Sequence, residues 1–333
     1  MNTDITQRTN ALFLSGHLIT LQAVGYDFKN PVKWASGTRN PFYVDGRILQ
    51  SDHHVRGILG KALASLLAKE EQKSAEYVFG IPNAGIAPAT LLAMEIQVPL
   101  LIKIGTKYYS MGNVKKLRQK FENLSYGVDV IAGTIPLGIP FGIIMATKSK
   151  LPFLFVREKP KDHGKNRQIE GVLKSGNRAA LVDYEFAGIE NYTKNAIDAL
   201  KESGITVSVL IDSMINGHID HVLTEVDISG KNIVVVEDVV STGESTLKEI
   251  QGMRQQGATI HTACSFFGYG FDETVRSFEK NNCELRSALD FLTLLSMYCF
   301  VGEISDVDRL HLLEWYHNQP TWGDKNGFPS DKK

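Results

Sequence analysis

The sequence predicts an α/β fold: a mainly parallel sheet flanked by helices, with a small N-terminal hood and extra βα units. Three observations carry this expectation. Short apolar strands recur from residue 77 onward, helix-period segments of roughly ten to fifteen residues separate them, and glycine-containing loops follow several strands. The chain has 333 residues, and 43% are hydrophobic, enough to bury a sizeable core. Formal net charge is −1, which argues against a nucleic-acid partner held by phosphate-backbone attraction. The three cysteines, Cys264, Cys283 and Cys299, are few, odd in number and in apolar surroundings. That usage predicts a reducing, cytoplasmic setting rather than a disulfide framework or zinc site. No signal layout and no membrane-length apolar run is seen.

Residues 5–24 read as an amphipathic helix with Leu12, Leu14, Leu18, Ile19 and Leu21 near one face. Residues 31–48 are turn-rich and read as loop and hairpin. A helix is expected over 55–68, before the strand at 77–80. Further strands are expected near 99–104, 129–132, 152–156, 178–183, 206–211, 232–237 and 259–266, and a closing helix after 304. Residues 78–105 resemble 130–158, and 177–210 resemble 231–264, so whole supersecondary units are repeated. With no low-complexity linker, the expected organisation is a hood over 1–54, one enlarged core over 55–300 and a tail over 301–333.

The stretch "VVVEDVVSTGES" (234–245) carries the first chemistry. Ligands of open α/β sheets bind beyond the carboxyl ends of strands. A strand over 232–237 delivers Glu237 and Asp238 there, where carboxylates can accept hydrogen bonds from sugar hydroxyls. The following loop opens a helix whose free N–H groups and dipole suit a phosphate monoester. Ser241, Thr242 and Ser245 add hydroxyl donors, Gly243 allows close approach, and Glu244 lies among them. The chemistry calls for a ribose phosphate.

This stretch resembles the phosphoribosyl-pyrophosphate (PRPP) motif of type I phosphoribosyltransferases. Other stretches resemble the orotate phosphoribosyltransferase family: "VKWASGTRNPFYVDGR" (32–47) its substrate loop, "VIAGTIPLGIPFG" (130–142) its pyrophosphate loop, and "FVREKPKDHGKNRQIEG" (155–171) its catalytic loop. "SFFGYGF" (265–271) and the tail over 304–323 are also similar. The resemblance implies transfer of phosphoribosyl from PRPP to orotate, Mg2+ carried by PRPP with Glu237 and Asp238 nearby and no direct protein ligand set, and a homodimer sharing its catalytic loop.

The catalytic stretch is cationic, with Arg157, Lys161 and His163 as the residues expected on the leaving pyrophosphate and Lys161, His163 and Asp238 as catalytic. Ser36, Gly37 and Tyr43 are expected on orotate. Ala35 stands where some relatives have a lysine, with Lys33 two positions away, and Trp34 reads as core. Arg39 and Arg47 read equally as carboxylate partners or salt-bridged structural residues. Thr134 and Gly138 mark the favoured pyrophosphate loop, because it leads directly to the strand ending at Arg157; the early loop 80–88 is the other candidate. The segment 180–192 keeps Asp183 and Glu185, but its Ala187-Gly188-Ile189 lacks hydroxyls, so it reads as a degenerate copy. Glu158 replaces a lysine common in relatives. A transferase for another nucleobase and a non-catalytic PRPP-binding regulator stand as the alternatives.

Overall fold

The structure is a computed structural model that describes residues 2–34, 37–120, 127–136, 138–157, 168–172, 174–183, 190–212 and 223–329. Helix α1 (Asn2–Thr20) opens the chain and buries Leu14 and Leu18, one turn apart. Leu12 is exposed instead, because a residue two positions from Leu14 lies on the opposite side of a helix. Strands β1 (Val24–Tyr26) and β4 (Phe42–Val44) pair antiparallel, as do β2 (Val32–Lys33) and β3 (Arg39–Asn40). Helix α2 (Gly46–Ser51) follows, then α3 (His53–Ser65), whose start is capped by Asp52 accepting from the His54 and Val55 N–H groups. Helix α4 (Lys69–Ser74) leads into the sheets.

The chain then runs through β5 (Tyr77–Gly80), α5 (Ile86–Ile96), β6 (Pro99–Ile104), β7 (Lys107–Asn113) and α6 (Val114–Lys120). Next come β8 (Val130–Thr134), α7 (Gly138–Ser149), β9 (Phe153–Val156), β10 (Ile169–Glu170), β11 (Arg178–Asp183), α8 (Glu190–Glu202) and β12 (Thr206–Asp212). After β13 (Thr224–Glu225) follow β14 (Ile233–Val240), α9 (Glu244–Gln255), β15 (Thr262–Gly268), α10 (Asp272–Lys280), β16 (Glu284–Asp290), α11 (Phe291–Phe300), α12 (Asp306–His317) and α13 (Gln319–Lys325).

The fold is α/β and mainly parallel, but it has two main sheets. One has the order β13-β7-β6-β5-β14-β15-β16, the other β10-β9-β8-β11-β12. The extra units therefore form a separate sheet inserted between β7 and β13 rather than widening the first. The reason is local: β13 pairs with β7, and β14 takes the place beside β5, so the outer sheet closes over the insertion point. The repeated stretches coincide with β5-α5-β6 and β8-α7-β9, and with β11-α8-β12 and β14-α9-β15.

The sheets share a core. Helix α5 packs against α3 and α7, and residues of α5 and α7 belong to one buried cluster. Both helices are apolar almost all round, as helices buried on several sides must be. Arg56 of α3, fully buried, joins α2 to the α7–β9 connection: it donates to the Gln50, Ser51 and Leu151 carbonyls. Burial lowers its pKa to about 10. All three cysteines are free. Among the described residues no helix is long and apolar enough to cross a membrane.

Candidate active site

Strand β14 is buried from Ile233 through Glu237. Its four leading aliphatics each stabilise the fold by about 1.5–3 kcal/mol, which offsets burial of a carboxyl at the strand end. Glu237 is 8% exposed, and Asp238 beside it is half-buried. The Asp238 N–H donates to Glu237 Oε1 at 2.9 Å. Burial, and then the adjacent Asp238 charge, push the Glu237 pKa well above the ordinary carboxylate value, while a Thr246 hydrogen bond pulls the other way.

Gly243 turns the chain into α9 with φ of 73°. A Cβ there would lie 2.4 Å from Phe278 Cε2, so the turn has room for glycine alone. The N-cap of α9, Gly243, offers no capping side chain, so the helix start presents its N–H groups and dipole to the strand edge. Ser241 and Thr242 are half-buried, and Glu244 and Ser245 are exposed. Thr274 Oγ1 donates to the Ser241 carbonyl at 2.8 Å and fixes the loop from α10. Thr246 and Thr274 escaped the sequence reading. A buried threonine in the first turn of a helix carries no signal until the carboxyl above it is located.

The two candidate pyrophosphate loops lie beside different strands. Strand β14 pairs in parallel with β5, Val236 opposite Gly80, so the loop 81–85 lies beside Glu237. The Ile81 N–H donates to the Val236 carbonyl at 2.9 Å, and a Cβ on Gly85 would sit 2.6 Å from that oxygen. Helix α5 starts at this loop, again with no side-chain cap. Thr134 and Gly138 instead belong to the inserted sheet. Thr134 Oγ1 donates to the Val182 carbonyl at 3.3 Å, and a Cβ on Gly138 would lie 2.3 Å from the same oxygen. They flank Asp183, not Glu237, because β8 pairs with β11. Chain order favours the loop at 133–141, whereas strand pairing places β5, further away in sequence, next to β14.

The N-terminal hairpins lie over the same edge. Trp34 packs on Tyr269 at 4.8 Å and within 6.3 Å of Trp315, the core role expected of it. Tyr269 and Phe271 follow β15, the neighbour of β14. Trp315 Nε1 and Gln319 Nε2 donate to Asn40 Oδ1, so the closing helices clamp the hairpin. Gly37 sits at the hairpin turn with φ of 84°. Tyr43 lies across Gly25, where a Cβ would be 2.6 Å from its hydroxyl, a contact made within the hood.

Arg47 decides between the two roles expected of it: it is salt-bridged. It meets Asp45 at 3.0 Å and also Glu170, which in turn binds Arg157 at 3.2 and 3.3 Å. Burial works against the Arg47 charge, but Asp45, Glu170 and Asp238 outweigh it and hold its pKa above the ordinary value. Gly46, next to it, approaches Asp238 so closely that a Cβ would be 3.8 Å from the Asp238 Cβ. Arg157 and Gln168, at the two ends of the cationic stretch, are joined by Arg157 N–H to Gln168 carbonyl at 2.9 Å. Lys161 and His163 between them, and Ser36 in the hairpin, lie outside the described residues.

Among the described residues no group of three or more histidine, cysteine or acidic side chains is placed to hold a metal. Glu237 and Asp238 supply a pair of hard oxygen donors. That fits Mg2+, which needs few protein ligands when a substrate supplies the rest.

The phosphoribosyl transferase domain family model matches residues 111–287. Orotate phosphoribosyltransferase of Streptococcus thermophilus is 25% identical over 317 residues, covering 95% of this chain and all of that protein. The enzyme of the same name from Listeria innocua is 23% identical, over 92% of this chain and 95% of its own. The crystal structure of orotate phosphoribosyltransferase from Aeropyrum pernix is 16% identical, with a TM-score of 0.44 over 85% of this chain and 97% of that one. With the family model spanning more than half of its length, this chain belongs to the phosphoribosyl transferase domain family.

Proposed function

We propose that the chain is an orotate phosphoribosyltransferase of UMP biosynthesis. It takes PRPP and orotate and releases orotidine 5′-monophosphate and pyrophosphate. The observation that carries this reading is the strand–turn–helix over 237–245, an acid pair near the end of β14 followed by the 241–243 turn and the start of α9, whose N-cap is a glycine. Its 5′-phosphate would lie on the α9 N–H groups with Ser241, Thr242 and Ser245, and its ribose diol on Glu237 and Asp238. The pyrophosphate would lie against the loop 81–85, at the start of α5.

In the transfer, the C1′–O bond breaks with its electron pair leaving on pyrophosphate, orotate N1 forms the new C1′–N bond, and the N1 proton is lost to water or to the departing pyrophosphate. The acid pair stabilises positive charge growing at the ribose. Arg157 with Lys161 and His163 stabilises negative charge growing on the leaving group. Orotate would sit under the hood of residues 1–54, against Ser36, Gly37 and Tyr43, with 55–300 as the core and 301–333 as the closing tail. Mg2+ would be held by PRPP oxygens beside Glu237 and Asp238, where it neutralises diphosphate charge. A cytoplasmic setting agrees with three free cysteines.

The test follows loss of orotate absorbance with PRPP and Mg2+, in wild type and in Lys161→Ala. Turnover that falls at least about a hundredfold in the variant is expected, the size of a transition-state charge contact. Turnover of uracil or a purine but not orotate would reassign the base. PRPP binding without any turnover would make the chain a regulator.

A further inference from the structure

The two main sheets repeat one pattern. In the outer sheet β5 pairs in parallel with β6 and β14, β14 with β15, and β6 turns back antiparallel into β7. In the inserted sheet β8 pairs in parallel with β9 and β11, β11 with β12, and β9 pairs antiparallel with β10. The orders β7-β6-β5-β14-β15 and β10-β9-β8-β11-β12 are the same strand for strand. The corresponding helices α5 and α7 pack on each other inside one core. One unit is thus nested within another copy of itself, and the two face each other as subunits of a dimer would.

The copies have divided their features. The outer unit keeps the acids and hydroxyl-bearing loop at 237–245, but its β6–β7 turn is only Gly105-Thr106. The inserted unit keeps the cationic stretch beyond β9, while its Thr134 hydroxyl is taken up by the Val182 carbonyl and its 187–189 stretch carries no hydroxyl. A buried polar bridge links the inserted unit to the hood beside the donor site. Glu170 of the inserted unit is 6% exposed and holds Arg157 of its own unit and Arg47 of the hood, and Arg47 feels the charge of Asp238. A carboxylate buried between two arginines fixes both guanidinium groups in orientation.

We propose that the inserted unit is a built-in second subunit: one chain holds one complete donor site, in place of the homodimer expected from the resemblance, and Glu170 is the positioning residue that couples the inserted unit to it. This rests on the reading that the β14 edge binds PRPP. Specific activity should stay constant over about a hundredfold enzyme dilution, since no association equilibrium is involved. Asp238→Asn mixed with Glu170→Gln should show no more than the average of the two alone. Loss of activity on dilution, or recovery towards about a quarter of wild type in the mixture, as randomly paired subunits would give, overturns the proposal.

Glu170→Gln should lower kcat about tenfold with the orotate KM within about twofold, and Glu170→Asp should recover part of it. Unchanged kcat with only a lower Tm would reduce Glu170 to a structural role and overturn its part. If Glu170→Gln does not fold, Arg47→Lys replaces it in both arms. If wild type fails to turn over orotate, the functional reading fails separately. The same dilution and mixture are then read by PRPP calorimetry, with one PRPP per chain at every dilution as the expected result.

Discussion

Gly243→Ala tests the turn on which the donor site is built. The residue has φ of 73°, and an added Cβ would lie 2.4 Å from Phe278 Cε2 and 3.3 Å from Thr274 Cγ2. Holding a residue with a Cβ in the left-handed region costs about 1–2 kcal/mol. Pressing a methyl group into Phe278, itself fully buried, adds about 1–3 kcal/mol of overpacking. The Phe278 ring can shift a little, so a total of about 2–4 kcal/mol is expected. An unfolding entropy of about 2.1 cal/mol/K per residue gives roughly 0.7 kcal/mol/K for the 333-residue chain, so Tm should fall by about 3–6 °C. Moving the loop also moves the α9 N–H groups and the Ser241 carbonyl held by Thr274, so PRPP affinity should fall at least about tenfold. Calorimetric unfolding and PRPP titration read the two effects on one sample. A Tm within about 1 °C of wild type, or weakened stability with unaltered PRPP affinity, would refute the claim that this turn is both tight and part of the donor site.

Three further outcomes follow from the same geometry. Asp238→Asn should reduce kcat/KM far more than Asp183→Asn, by about a hundredfold or more against less than about threefold; equal losses would give the inserted unit's acid a task of its own. Glu237 has a folded-state pKa raised above its ordinary 4.5 by burial and Asp238, so its contribution to stability is full below about pH 4.5 and is lost as pH rises through the folded-state value. Glu237→Gln should therefore gain stability relative to wild type as pH rises from about 4.5 towards neutrality, and urea midpoints that stay parallel across that range would contradict the assignment. Gly85→Ala should weaken PRPP binding, because its Cβ would meet the Val236 carbonyl, whereas Thr134→Val should cost about 1 kcal/mol of stability with PRPP affinity within about threefold; the reverse ordering would return pyrophosphate to the loop at 133–141.

Much of the molecule was legible in the chain because it is local. The run of β-branched residues ending in Glu237-Asp238, with a glycine in the turn and a helix after it, specifies a strand, a turn and a helix from short-range sterics and hydrogen bonding alone. The strands expected near 99–104, 152–156, 178–183, 206–211 and 232–237 are present, while the polar β7 and β16 escaped notice because lysine, tyrosine, asparagine and arginine dilute their apolar pattern. Even the repeated units could be read from residues 78–105 and 130–158. Which strand lies beside which could not. Strand pairing is a long-range choice, settled by which apolar faces can be buried together, and a unit nested inside its own copy offers two nearly equivalent partners for each strand. The tertiary structure alone set β14 against β5, which puts the loop 81–85 beside Glu237, and brought Glu170 between Arg157 and Arg47.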